Sequence, residues 1–271
     1  MEVLTQYQLS VVHPHARIGK NVHISPFVTI EGDVEIGDNT WIGPNACILN
    51  GTRLGENCKV FPGAVIGAIP QDLKYKGEES VLEIGNNVTI REYCTLNRGT
   101  KANWTTTIKD NCLLMAYVHV AHDCMLEEHV ILANNVTLAG HIHIGKYAVL
   151  GGLTAVHQYV KIGDHAMIGG GSLVRKDVPP FVKAAREPIS YAGINAIGLK
   201  RRGFSSESIK IIQDSYRLLF VKGNNTTQAL VMIEKLIPAS PEKNRILEFI
   251  KGSERGIMKG FRQINGNGNR D

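Results

Sequence analysis

The chain has 271 residues, of which 43% are hydrophobic and 20% charged, and its net charge is +5. That balance excludes wholesale disorder, and no apolar run approaches the roughly 20 residues of a membrane span. The five cysteines form no CxxC pair, which excludes a zinc ribbon or a dithiol redox site. At the start, Met1 to Pro14 lack a basic stretch followed by an apolar one, so no signal peptide is read and the expected setting is the cytoplasm.

From Val12 a hexad period governs the sequence. Counting every sixth position from Val12 to Val174, 25 of 28 residues are Ile, Leu or Val, and the exceptions are Asp72, Glu78 and Ala102. Two positions before each aliphatic stands a small or β-branched residue, as in Ala16, Val22, Val28 and Val34. Such alternation marks a short strand whose two same-side residues point inward. Cys58, Cys94, Cys112 and Cys124 occupy this slot and read as buried small hydrophobes. Many hexads place Gly just after the aliphatic, as at Gly19, Gly37 and Gly145, where a bend leaves no room for a side chain. Short strands with regular corners and no hairpin signals predict a parallel β-solenoid. The pattern resembles the left-handed β-helix of the hexapeptide acyltransferases, in which three hexads make one triangular coil. The left hand is carried over from that resemblance, because general chirality rules favour the opposite one.

The period lapses twice, near residues 68–80 and 99–107, and both lapses are predicted to leave the prism as loops. After Asp177-Val178-Pro179-Pro180 it stops. Ser205 is predicted to cap a helix through Ile209, Ile212, Tyr216 and Leu219, ended by Gly223-Asn224-Asn225. A second helix fits Thr226 to Ile237, and Ser240-Pro241 opens a third that runs to Lys251. The division expected is therefore a β-helix over 1–187, a small helical domain over 188–264 and a disordered tail over 265–271. Residues 181–271 carry 16 Lys/Arg against 8 Asp/Glu, and residues 1–180 carry 14 against 17. The basic surplus suits an anionic ligand or acidic partner, and equally a solvated helical face.

Histidines gather in the middle coils. The steps from His122 to His141 and from His141 to His157 are each close to three hexads, about one coil. None of the three occupies an inward slot, and all are expected near one edge. Two chemistries suit them. Imidazoles on adjacent coils can hold a zinc ion. An imidazole can also take a proton from a hydroxyl, with Asp123 or a backbone carbonyl orienting the ring.

Longer motifs narrow the choice. Pro70-Gln71-Asp72-Leu73-Lys74-Tyr75, Asn97-Arg98-Gly99-Thr100, Ala121-His122-Asp123-Cys124, Ile131-Leu132-Ala133-Asn134-Asn135 and Leu138-Ala139-Gly140-His141 stand in order. Gly151-Gly152-Leu153-Thr154-Ala155-Val156-His157-Gln158, Asp177-Val178-Pro179-Pro180 and Gly198-Leu199-Lys200-Arg201-Arg202-Gly203-Phe204 follow. Together they resemble the UDP-N-acetylglucosamine acyltransferases of lipid A biosynthesis over roughly residues 12–262.

That resemblance implies transfer of a 3-hydroxyacyl chain from acyl carrier protein to the 3-hydroxyl of UDP-N-acetylglucosamine, by direct attack and without a cofactor or metal. His122 matches the base and Gly140 the backbone oxyanion donor, and Asp123 stays the candidate, beside a backbone carbonyl, for orienting the base. Asp72 and Lys74 match contacts to the acceptor sugar and its phosphates. His119, His141, His157 and Gln158 match positions around the sugar nucleotide, and Asn195, Arg201 and Arg202 positions at its nucleotide end. Gly170 matches a position that limits acyl-chain length. The resemblance further implies a homotrimer with active sites between neighbouring prisms, and gives the basic C-terminal surplus an acidic carrier protein to steer; neither a nucleic acid nor a membrane span is expected. The chain departs from the family pattern at Arg186-Glu187-Pro188 and at Ile197, which bears on nucleobase or pantetheine recognition rather than on His122.

Three other readings share the solenoid. A zinc enzyme like the γ-class carbonic anhydrases would not need Asp72, Lys74 or the basic helices. An ice-binding or scaffolding solenoid would show flat faces of repeated Thr or apolar residues. A sister acyltransferase acting on the amine at sugar position 2 would carry an additional N-terminal domain, whereas the hexads here begin by Val12.

Overall fold

A computed structural model describes residues 9–260; the tail expected over 265–271 lies outside the described residues. The fold is a left-handed parallel β-helix followed by a small helical unit. Its three faces are parallel sheets. The first runs from Val11–Val12 to Leu173–Val174, the second from Arg17–Ile18 to Lys161–Ile162, and the third from His23–Ile24 through Met167–Ile168. Strand pairs such as Val11↔Thr29, Thr29↔Cys47 and Cys47↔Val65 set the coil at three hexads. Every aliphatic of the series from Ile24 to Val174 is buried, at 5% exposure or less, and Val12 and Ile18 at the open end are half-buried.

The two lapses are insertions of whole hexads. A regular step from Val65 would reach Glu83, but Val65 pairs with Thr95, so the first insertion is two hexads. A regular step from Thr95 would reach Leu113, but Thr95 pairs with His119, so the second is one hexad. This is why the count of every sixth position stays in phase across both. The second loop is shorter than expected, because Thr105–Ile108 is already a strand, paired with Val81–Ile84.

The corners are built differently from the expectation placed on glycine. Left-handed backbone falls three positions after the aliphatic, at Asn21, Asn39, Asn45 and Asn57 and their successors, with φ between 55° and 61° at these four. Asn tolerates that region because its short polar side chain bonds locally. Apart from Gly67, whose φ is 83°, glycines directly after the aliphatic serve clearance instead. A Cβ on Gly37 would stand 2.5 Å from the Gly55 carbonyl carbon of the next coil. The cysteines of the inward slot are buried as read, and burial pushes the thiols of Cys94, Cys112 and Cys124 up to about 12.

Beyond Val174 the third sheet continues past residue 187, the expected domain boundary. Val182–Ala185 pairs in parallel with Met167–Ile168 and antiparallel with Ser190–Ile194, so a hairpin spans that boundary; Lys259–Gly260 then pairs with Ser190 and Tyr191. Helices begin at Ala196. They are α1 (Ala196–Arg201), α2 (Ser206–Tyr216), α3 (Thr226–Leu236) and α4 (Pro241–Lys251). Ser205 caps α2 and Ser240 caps α4, each accepting from the N–H three positions on, and Asn225 and Gln228 form a capping box on α3. The sequence pattern missed α1, and the continuation of α2 over Arg217–Val221 is a π-helical turn. Tyr216, fully buried, donates to Pro180 O at 2.6 Å, and its ring packs with Tyr191 and Phe220. One continuous core therefore joins the prism to the helices. No helix among the described residues is long and apolar enough to cross a membrane.

At the edge between the second and third faces, the left-handed corner residues form an aromatic stack. His129 lies on Tyr147 at 4.4 Å, Tyr147 on His165 at 5.0 Å, and His165 on Phe181 at 5.7 Å between centroids. Burial, then the Arg202 charge, pushes His165 down from 6.5 to about 4, against a weaker opposing pull from Asp164. The unfolded chain thus binds a proton between pH 6.5 and 4 that the folded chain refuses, so this group's stabilisation is complete above 6.5 and is lost as pH falls toward 4. Replacing His165 with Gln is expected to shrink the loss of stability between pH 7 and 4.5, read as the shift in urea midpoint.

Candidate active site

The edge between the first and second faces carries a cluster of the predicted site residues. Strand His119–Val120 ends the first face, a corner follows, and Met125–Leu126 starts the second. Asp123, His141 and Tyr159 hold the same corner position on three successive coils, with φ of 59°, 61° and 62°. Coil-to-coil bonds set their spacing: His141 N–H donates to His122 O at 3.0 Å, and Tyr159 N–H to Gly140 O at 3.2 Å.

These constraints bring His122 and His141 together, with ring centroids 5.0 Å apart and planes nearly perpendicular. His141 stacks on Tyr159 at 4.5 Å. His122 Nδ1 meets Asp123 Oδ2 at 2.8 Å, and both residues are buried, at 5% and 4% exposure. Thr100 donates to Asp123 through its N–H at 3.0 Å and its hydroxyl at 2.6 Å. Burial opposes the Asp123 charge, yet hydrogen bonds from His122 and Thr100 outweigh it and hold the carboxyl below its ordinary value. An ionised carboxylate only accepts, so His122 Nδ1 carries a proton, and in the neutral ring Nε2 holds the lone pair. Nε2 has no hydrogen-bond partner among the described residues. Of the carboxylate and the carbonyl, it is the carboxylate that orients the ring.

Gly140 lies one coil beyond His122. A Cβ there would stand 2.5 Å from His122 Cε1, so the absence of a side chain gives the ring its place. The Gly140 N–H meets no acceptor among the described residues. His141 is held below its ordinary value, chiefly by burial, with Asp123 pulling the other way. His119 projects from the first face and shares a 2.8 Å hydrogen bond with Thr95 Oγ1; burial lowers it too.

The first insertion folds over this edge. Asp72 accepts from the Lys74 N–H at 2.9 Å, and Asp72, Lys74, Tyr75, Thr100, His141 and Tyr159 line a hollow of about 160 Å³. Asn97 Nδ2 donates to Ala68 O and Ile69 O, and Arg98 Nη2 to the Tyr75 hydroxyl, so the insertion is tied down at its start and at its middle. A larger groove, about 790 Å³, crosses Arg17, Glu35, Arg53 and Glu83 on the second face and holds none of the predicted site residues.

Other predicted residues lie apart from this cluster. His157 and Gln158 are exposed on the same edge one coil on from His141, with His157 Nδ1 3.3 Å from Arg255 Nη2. The Asn195 side chain caps α1 and donates to His165 O at 3.0 Å. Arg202 lies 5.1 Å over the Tyr147 ring, with Nη1 buried and unpartnered, while Arg201 is exposed. Ile197 is exposed on α1. Gly170 is exposed at the edge between the third and first faces, a different edge from His122.

Sequence reasoning gave no role to Tyr159 or Thr100. Tyr159 stands three hexads after His141, so coil arithmetic alone could have found it. Thr100 reaches the site from an insertion, where that arithmetic fails.

The ligand atoms of His122, Asp123 and His141 lie within 4.8 Å of one another, close enough for a cation. The donor set does not fit one well. Asp123 Oδ2 already accepts from Thr100 and His122, Oδ1 accepts from the Thr100 N–H, and His122 Nδ1 faces that carboxylate. The geometry is that of a hydrogen-bonded His–Asp pair.

Comparisons with known proteins agree with this fold. The family described as Udp N-acetylglucosamine O-acyltransferase, Domain 2, matches residues 177–258, and bacterial transferase hexapeptide repeats match 33–68 and 105–140. The acyl-[acyl-carrier-protein]–UDP-N-acetylglucosamine O-acyltransferase of a Sulfurihydrogenibium species is 54% identical, over 92% of each chain. The solved UDP-N-acetylglucosamine acyltransferase from Bacteroides fragilis is 51% identical, with a TM-score of 0.92 over 93% of this chain and 98% of that one. A solved relative from Acinetobacter baumannii is 42% identical, with a TM-score of 0.90 over 93% and 99%. By that identity over nearly its whole length, the chain belongs to the acyl-[acyl-carrier-protein]–UDP-N-acetylglucosamine O-acyltransferase family.

Proposed function

We propose that the protein transfers a 3-hydroxyacyl chain from acyl carrier protein to the 3-hydroxyl of UDP-N-acetylglucosamine, in the first step of lipid A biosynthesis, with His122 as general base. The observation that carries this reading is the 2.8 Å contact from His122 Nδ1 to a buried, ionised Asp123, which leaves Nε2 as the proton acceptor of the neutral ring; His141, in ring contact with His122, lines the hollow under the first insertion. Nε2 takes the hydroxyl proton as the sugar oxygen bonds to the thioester carbonyl carbon. Charge develops on the carbonyl oxygen, where the unengaged Gly140 N–H can donate; such a donor is typically worth about 2.7–4 kcal/mol. Collapse breaks the carbon–sulfur bond, and the imidazolium returns its proton to the departing thiolate. Asp123 stabilises the imidazolium in between.

Direct transfer is favoured over an acyl-enzyme by the thiols. Cys124 follows the dyad in sequence but points into the prism, where burial raises it to about 12. The only hydroxyl in contact with the dyad carboxylate among the described residues, that of Thr100, donates to Asp123 and not to His122 Nε2.

Asp72 and Lys74 bind the acceptor sugar and its phosphates from the insertion, and His119, His141, His157 and Gln158 surround the sugar nucleotide. Asn195, Arg201 and Arg202 serve its nucleotide end, with Asn195 acting through α1 because its amide is committed to the cap. Exposed Lys200, Arg201, Lys210, Arg217 and Lys222 give the helical unit a basic surface suited to an acidic carrier protein in the cytoplasm.

A homotrimer reconciles His122 and Gly170. They lie on different edges of one prism, so a single acyl chain touches both only where two prisms meet. The edge between the third and first faces also exposes Phe27, Tyr93, Tyr117 and Leu153, apolar surface suited to packing between prisms.

With 3-hydroxyacyl carrier protein and UDP-N-acetylglucosamine as substrates, His122→Ala is expected to lower kcat roughly 10²–10⁴-fold with the fold intact by circular dichroism. Wild-type turnover by that variant would remove His122 from the chemistry. Gly170→Met is expected to shift preference toward shorter donors in a chain-length series, because it places a side chain where none now stands. Its Cβ would lie 3.1 Å from Gly152 O, a contact that a shift of a few tenths of an ångström relieves.

A further inference from the structure

Thr100 lines the hollow, and both of its donors converge on one carboxylate. Its N–H reaches Asp123 Oδ1 at 3.0 Å, and its hydroxyl reaches Oδ2 at 2.6 Å. Thr100 is 7% exposed and Asp123 4%, so water is poorly placed to replace either bond. The Asp123 backbone is fixed separately, its N–H donating to Thr106 Oγ1 at 2.8 Å. What remains free is rotation of the carboxylate about its terminal torsion, which is intrinsically broad.

That rotation matters because two imidazoles flank the same oxygen. Oδ2 lies 2.8 Å from His122 Nδ1 and 3.7 Å from His141 Nε2. A carboxylate that swung toward His141 would leave His122 free to flip or to carry its proton on the wrong nitrogen. A two-point grip by the backbone N–H and the hydroxyl of one residue fixes the plane of the carboxylate, which a single bond would not.

The grip comes from outside the coil lattice. Thr100 belongs to the one-hexad insertion, and the same segment holds the acceptor loop through Asn97 and Arg98. We propose that Thr100 is a positioning residue for the reaction, holding the Asp123 carboxylate on His122 and off His141. This rests on the reading of His122 as the base.

The test is Thr100→Val, which keeps shape and backbone N–H and removes the hydroxyl. Loss of a hydrogen bond to a charged group is expected to lower kcat roughly 10- to 100-fold, with KM for UDP-N-acetylglucosamine within about twofold. Thr100→Ser is expected to recover activity to within about threefold of wild type, because the hydroxyl returns. In an Asp123→Asn background the same Val substitution is expected to cost less than about twofold, because the group it acts through has gone. Equal losses in both backgrounds, a change confined to KM, or wild-type kcat in Thr100→Val would each overturn the proposal. If Thr100→Val fails to fold, Thr100→Ala carries the same three readings. Wild-type-like His122→Ala defeats the base assignment and the proposal with it, whereas wild-type-like Thr100→Val beside an inactive His122→Ala defeats the positioning role alone.

Discussion

Backbone hydrogen bonding between successive coils, which joins each strand to its equivalent three hexads on, is the constraint from which the rest follows. Each coil is too short to hold a core of its own. It buries three large aliphatics and three smaller inward residues only because the coil above and the coil below close the prism. Neighbouring strands lie about 4.8 Å apart, so residues at equivalent positions become neighbours in space whatever chemistry they carry. An interior filled with Ile, Leu and Val leaves every polar group to the edges and insertions.

This lattice explains how a reactive pair is assembled without a deep cleft. His122 and Gly140 belong to consecutive coils, and the absence of a Cβ at Gly140 is what gives the imidazole its space. Asp123 takes the left-handed corner, which turns its carboxylate back toward its own neighbour. The same corner on the next coils supplies His141 and Tyr159. Burial sharpens the arrangement, since Asp123 remains ionised only through bonds from His122 and Thr100 that outweigh its desolvation.

Insertions and the C-terminal unit supply what a regular lattice lacks. Whole-hexad insertions leave the phase of the strands untouched, so the prism tolerates them while gaining loops at one edge. Asn97, Arg98 and Thr100 then connect one insertion to the other and to the dyad. At the far end, a hairpin and four helices cover the exposed core, with Tyr216 buried against Pro180. The aromatic edge stack ends under α1 and the loop after it, where Phe204 meets His165 and Phe181.

How much was legible depends on whether a feature repeats. The aliphatics at every sixth position, the inward cysteines, the caps at Ser205 and Ser240 and the convergence of His122 with His141 follow from periodicity and local chemistry, which the linear order preserves. The left-handed corners fall three positions after the aliphatic, chiefly on Asn, His and Tyr and on Gly51, Gly63 and Gly171, whereas most glycines directly after the aliphatic mark close approach between coils, and that requirement is visible only when the next coil is present. Helix α1 escapes the pattern because it is little more than one turn, too short for a helical period to show. Periodicity alone established a solenoid of short strands, and the three-hexad coil taken from the family resemblance then put His122 and His141 on one edge. That Asp123 rather than a carbonyl orients His122, and that Thr100 holds that carboxylate, came from the folded chain alone. Those facts depend on contacts across insertions and around corners, and no fixed spacing encodes them.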